Sequence, residues 1–168
     1  MTLKEIDKTL YRNHLRVVFA GMALALMFFS VAISTLFIYL FSRPEVSHFL
    51  HNLAGVVVAA IIVFVVLNKF RQHSYMFEVV YIWDLKQQLN RINRKLRKIE
   101  VAVESGDSNA MVIMNFMYRG SKQLYELDDN TITMGSLISK INVLDQHMQD
   151  SGLSLSTSAY DPAMLDQF

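Results

Sequence analysis

The stretch that decides the fold is residues 17–41, VVFAGMALALMFFSVAISTLFIYLF, which runs for 25 residues without a formal charge. A second charge-free run, 46–68, reads VSHFLHNLAGVVVAAIIVFVVLN, and its centre is almost wholly Val, Ile, Ala and Leu. A helix needs about 20 mainly apolar residues, at ~1.5 Å rise each, to cross the hydrocarbon of a bilayer. Both runs satisfy this. A soluble chain of 168 residues could not easily cover two helices that are apolar all round. The first run is also too long for the apolar part of a secretory signal, and no small-x-small cleavage site follows it, so it reads as a retained span.

Working outward, charge gives the orientation. Lys4, Lys8, Arg12 and Arg16 precede the first span, Arg43 alone lies between the spans, and Lys69 and Arg71 follow the second. Positive residues stay on the cytosolic side, which places both termini in the cytosol and a tight hairpin outside. The resulting division is a cytosolic amphipathic segment 1–16, a first span 17–41, an external loop 42–48 and a second span 49–68. A cytosolic helical bundle 69–153 and a tail 154–168 complete it. Pro44 suits the first turn of the second helix, where its missing N–H has no partner to lose. Thr2 and Glu5 have capping-box spacing, so the N-terminal segment is expected to be helical from its start. Neither span holds Asp, Glu, Lys or Arg, which argues against charge-coupled transport within one copy. Small residues recur at four-residue spacing instead, as Gly21 with Ala25, Ser30 with Ser34, and Gly55 with Ala59. These permit close helix packing, within the hairpin or between copies.

Beyond a bend expected at 68–74, Tyr75, Phe77, Tyr81 and Trp83 suit either the membrane–water boundary or a cytosolic core. From Ile82 the apolar positions alternate spacings of three and four: Leu85, Leu89, Ile92, Leu96, Ile99 and Val103. That is the seam of a coiled coil or helical bundle, intramolecular or intermolecular. The sequence Ser105-Gly106-Asp107 ends this helix, and Asp107 or Ser108 caps the next, about Asn109 to Leu127, in which Gly120 marks a close crossing. Asp128-Asp129-Asn130 is a polar turn. Thr131 or Thr133 then caps a third helix, carrying Met134, Leu137, Ile141, Leu144 and Met148 and ending near Gly152. The fold class is therefore all-α: a two-helix transmembrane hairpin plus an antiparallel helical bundle with coiled-coil-like seams. Residues 154–159 read as flexible, and Asp161-Pro162 as the cap and first turn of a short last helix.

Candidate functional residues follow from this pattern. Leu85, Leu89, Ile92, Leu96 and Ile99 form a packing seam, and Arg91, Arg94, Lys95 and Lys98 a basic face. Between residues 69 and 100 there are eight basic and three acidic residues; between 101 and 168 there are three basic and nine acidic. The basic helix either faces acidic neighbours within the bundle or meets anionic lipid. A net charge of +1 and the lack of a recognition motif argue against nucleic acid. With no cysteine, thiolate chemistry and disulfides are excluded. Glu45, His48 and His51 recur every three residues, but they lack the i, i+4 histidine pair of a strong zinc site. No phosphate-cradling loop or nucleophile elbow is present, so no enzyme, cofactor, catalytic residue or metal ligand is assigned.

The chain resembles a family of small bacterial inner-membrane proteins known only as a domain of unknown function. Carrying the resemblance are Ile6-Asp7-Lys8 with Tyr11-Arg12-Asn13-His14, the run Leu85-Lys86-Gln87-Gln88-Leu89-Asn90-Arg91, and Lys95-Leu96-Arg97-Lys98-Ile99-Glu100. Gly106-Asp107, Leu124-Tyr125-Glu126-Leu127-Asp128-Asp129-Asn130 and Tyr160-Asp161-Pro162 extend it over nearly the whole chain. The resemblance implies a bacterial inner membrane and supplies no activity. The expected role is a non-enzymatic, membrane-anchored adaptor or accessory subunit that binds copies of itself or another membrane protein. The alternatives are a homo-oligomeric pore-like assembly and a sensor of anionic membrane lipid.

Overall fold

A computed structural model describes residues 1–41 and 47–168. The expectations for Arg43, Pro44 and Glu45 lie outside the described residues. The chain divides into two compact units, residues 7–80 and residues 81–168 joined by 1–6. All regular structure among the described residues is helical.

The first unit is a helical hairpin. Helix α1, Lys8–Phe41, has 34 residues and α2, Phe49–Phe70, has 22. At 1.5 Å per residue they are about 51 and 33 Å long, and each is apolar enough to cross a membrane. Their outer faces present large apolar side chains, among them Leu24, Phe28, Val31, Leu50 and Phe64. The two helices meet along small residues. A Cβ on Gly55 would lie 2.7 Å from the main-chain nitrogen of Ser34, and the Ser34 hydroxyl donates to the Asn52 carbonyl at 3.3 Å. Ala59 is fully buried on the same face. Thus the Gly55–Ala59 pair is used within the hairpin, whereas a Cβ on Gly21 would meet nothing within 4 Å.

Helix α1 begins at Lys8, not at residue 2. The Asp7 carboxylate accepts from the Leu10 amide at 2.7 Å and caps the helix there. Residues 1–6 are not helical because Lys4 is engaged elsewhere: its amide donates to the Tyr81 hydroxyl at 2.8 Å, and its carbonyl accepts from the Gln123 side chain. The bend after α2 falls at residues 71–73, followed by a 3₁₀ turn, Ser74–Met76, whose Tyr75 amide is capped by His73 Nδ1. Nearby in this unit, His14 Nδ1 lies 3.0 Å from Glu78 Oε2, and the imidazole packs on the Tyr75 ring at 3.8 Å.

The second unit is built around one central helix. Its elements are α3, Phe77–Asn93 (from Tyr81 on), α4, Leu96–Glu104, α5, Ser108–Leu127, and α6, Met134–Asp150. The expected long helix is broken after Asn93. The Lys95 amide bonds the Ile92 carbonyl three residues back, a tight turn that separates α3 from α4. Gly106, at φ +84°, reverses the chain, and the Asp107 carboxylate caps α5 through the Ala110 amide at 2.8 Å. Side-chain contacts tie α3 to α5. Tyr81 bonds Gln123, Lys86 reaches Asp128, and Leu85 with Leu89 face Gly120. The reversal at Gly106 sets α4 antiparallel to α5. Arg119 on α5 pairs with Asp145 on α6, and the short connection 128–133 makes that pair antiparallel too. Thr133 precedes α6 as expected, but its side chain makes no capping bond.

Residues 154–168 are packed against α5. The Asn115 amide, 1% exposed, donates to the Leu155 carbonyl at 3.0 Å, and Tyr160 stacks on Phe116 at 4.1 Å. The flexible tail expected from its serine-rich composition is held because a buried amide must be satisfied and an aromatic ring is covered. Asp161 then caps a short 3₁₀ helix, Pro162–Gln167, through the Ala163 amide.

Candidate interaction surfaces of the helical bundle

The heptad-spaced residues are placed first by burial. Leu85, Ile92 and Ile99 are fully buried, Leu89 is 8% exposed, and Leu96, beside the break, is half-buried. Leu85 and Leu89 close on Gly120, where an added Cβ would stand 3.2 Å from a methyl of each leucine. The seam is therefore brought together inside the chain's own bundle.

The basic residues are divided. Lys95 Nζ donates to the Leu165 carbonyl at 2.6 Å, and Lys98 Nζ donates to the Phe168 main-chain oxygen at 2.8 Å. These two lysines hold the C-terminal segment down. Arg91 and Arg94 are exposed. Burial pushes the Tyr160 hydroxyl above its ordinary range, an effect that the positive charge of Arg91 partly offsets.

A polar network joins α5 to α6. The Asn115 carbonyl oxygen accepts from Arg119 Nε at 2.7 Å, and Arg119 Nη2 contacts both Asp145 oxygens at 2.9 Å. This network orients the two helices. Among the described residues no group of three or more His, Asp or Glu side chains is placed to hold a metal ion. The His48 and His51 rings are 6.3 Å apart, and their partner in the sequence pattern, Glu45, is outside the described residues.

Sequence reasoning missed an open groove between α4 and α6, about 530 Å³ in volume, floored by Met114 and Tyr118 of α5. Glu100 and Glu104 stand on the α4 wall; Lys140 and His147 stand on the α6 wall, with Val143 between them. Val143 is 59% exposed and Val101, on α4, is 65% exposed. Burial raises the pKa of the Tyr118 hydroxyl, and the Glu100 carboxylate raises it further. The available signal was Val143, an apolar residue that stands outside the three-and-four seam of its helix.

An all-α chain in which an apolar helical hairpin is followed by a helical bundle defines a class by architecture, and its surfaces offer helix grooves and charge. Within that class, the chain belongs to the family of proteins of unknown function DUF3087, whose family model matches residues 1–165. No curated protein and no solved structure matches the chain.

Proposed function

We propose that this protein is a non-enzymatic adaptor or accessory subunit, anchored in a membrane by the α1–α2 hairpin and acting through helix–helix contacts of its bundle. The observation that carries the reading is the α4–α6 groove, apolar at its floor and bordered by exposed Val143, on a bundle whose seam is closed internally. Exposed apolar surface rimmed by charge is the usual form of a protein-binding patch. The long apolar helices support the anchor. Lys4, Lys8, Arg12 and Arg16 on one flank, with Lys69 and Arg71 on the other, support an inner-membrane hairpin with both flanks cytosolic. Native mass spectrometry of the tagged protein, extracted gently from its own membrane, tests the role. A defined homomeric or heteromeric mass is expected; a bare monomer across preparations refutes it.

Arg91 and Arg94 favour a second reading, contact with anionic lipid, since both are exposed, one in the last turn of α3 and one in the turn that follows it. Hydrogen exchange of residues 85–100 in nanodiscs reads this directly. Equal exchange in anionic and zwitterionic lipid rejects it.

A further inference from the structure

We propose that the α5–α6 turn, through Ile132, and Trp83 of α3 dock into the interfacial layer of the membrane that holds the α1–α2 hairpin. The inference rests on the membrane anchor read above and names a second contact with lipid, made by the bundle. Chain connectivity carries it. The bundle is joined to the hairpin unit between Ile6 and Asp7 and between Val80 and Tyr81. Both links leave the bundle at one end. The Lys4 amide donates to the Tyr81 hydroxyl, and Gln123, one turn before the C-terminus of α5, bonds both Tyr81 and the Lys4 carbonyl. The α5–α6 turn, residues 128–133, emerges from that same end. The links are short. Lys8 to Val17 is about 14 Å of helix, and residues 71–80 alone separate α2 from Tyr81. Two short tethers at one end turn that end toward the bilayer.

That end presents two large apolar side chains. Ile132 is 94% exposed, more than Leu50 or Tyr39 on the outer faces of the hairpin. Trp83, two residues beyond a link, is 60% exposed while Ile82 and Leu85 beside it are buried. An indole favours the membrane–water boundary. Asp128 and Asp129 give anionic lipid no attraction, and the first is paired with Lys86 at 3.5 Å, so the contact is apolar and zwitterionic lipid suffices. Two side chains could not hold a free domain on a membrane. Here the tethers have already removed the freedom that docking would otherwise cost.

Full-length protein in nanodiscs tests the contact. The chain holds one tryptophan and no cysteine, so native emission reports Trp83 alone and a nitroxide can be placed at any single introduced cysteine. Brominated phosphatidylcholine is expected to cut Trp83 emission to roughly half, as for an indole at the interface. A nitroxide at Ile132→Cys is expected to meet oxygen more readily than a water-soluble nickel chelate. One at Val101→Cys, near the Gly106 turn at the other end of the bundle, is expected to show the reverse. Ile132→Asp should return most of the Trp83 emission with the melting temperature unchanged, because the side chain is almost wholly solvated within the chain. Position 132 as open to nickel as position 101 overturns the proposal, whatever Trp83 reports. So does a position 132 closed to both reagents, which means that protein covers it. A nitroxide at Val31→Cys, on the outer face of α1, keeps the two readings apart. If it meets oxygen while position 132 meets nickel, the anchor stands and the docking fails; if it too meets nickel, the anchor itself is wrong.

Discussion

Truncating the seam at Leu85 separates a core role from an interface role. Leu85→Ala removes three carbons from a fully buried side chain, a transfer loss of roughly 2.4 kcal/mol at ~0.8 kcal/mol per carbon. A cavity term adds to this, and here it is large, because the opposing position is Gly120, which has no side chain to move into the space. The expected destabilisation is about 4 kcal/mol, toward the upper part of the range for such changes. Leu96 is half-buried beside the α3–α4 break, so Leu96→Ala forfeits about half the transfer term and opens no closed cavity, costing about 1 kcal/mol. Urea unfolding of the full-length protein in mild detergent, followed by hydrogen exchange of the α5 amides, measures both. A gap near 3 kcal/mol is expected, with both variants compared at equal slope. If the two substitutions cost the same to within 1 kcal/mol, or if Leu85→Ala leaves stability intact and only abolishes association, the internal seam is refuted.

Three other perturbations probe separate parts of the structure. Gly55→Ala forces a methyl against the Ser34 backbone and should cost the hairpin about 1–3 kcal/mol, whereas Gly21→Ala meets nothing and should be neutral; equal melting temperatures in detergent would contradict the packing. Asn115→Ala strips the Leu155 carbonyl and Arg119 Nε of their partner, at about 2–4 kcal/mol, and should speed exchange and proteolysis in residues 154–168; unchanged protection there would rule out the anchoring role. Burial raises the hydroxyl pKa values of Tyr81, Tyr118 and Tyr160 above 10.0, so the unfolded chain releases these protons first. Their contribution to stability is therefore constant below pH 10 and falls as pH rises through the window between 10.0 and the raised values; a pH–stability profile in which Tyr→Phe at all three positions changes nothing above pH 10 would contradict this.

What was legible in the sequence was what depends on local pattern. The two long apolar helices follow from charge-free length, and the caps Asp107 and Asp161 from a carboxylate placed before a helix start. Contacts distant in sequence were not legible. Thr2 and Glu5 satisfy a capping-box pattern, yet Asp7 caps the helix because Lys4 is bound by Tyr81 and Gln123, 77 and 119 residues away. The spacing from Ile92 to Leu96 keeps the heptad through a break, since the turn at Arg94 and Lys95 is made by backbone geometry and stabilised by Leu165, 70 residues on. The groove escaped notice for a related reason. It is formed by the separation of α4 from α6, and the heptad pattern reports only the faces that each turns to α5.

The division between seam and groove has an energetic logic. A unit of about 90 residues buries a smaller fraction of its surface than a large domain and has little apolar area to leave over. Its most regular stripe, Leu85, Leu89, Ile92 and Ile99, is committed to holding α3 and α4 on α5. Any partner contact must then use what remains: single valines, a shallow apolar floor and facing charges. Such a surface gives association that is reversible and sensitive to salt, because screened exposed charges add little and apolar area is limited. It also uncouples binding from folding, so that Val143 can be altered without loss of the bundle whereas Leu85 cannot. A coiled-coil partner inserted through the seam would require the opposite, with the bundle opening before it binds and losing the Gly120 contact as it does so.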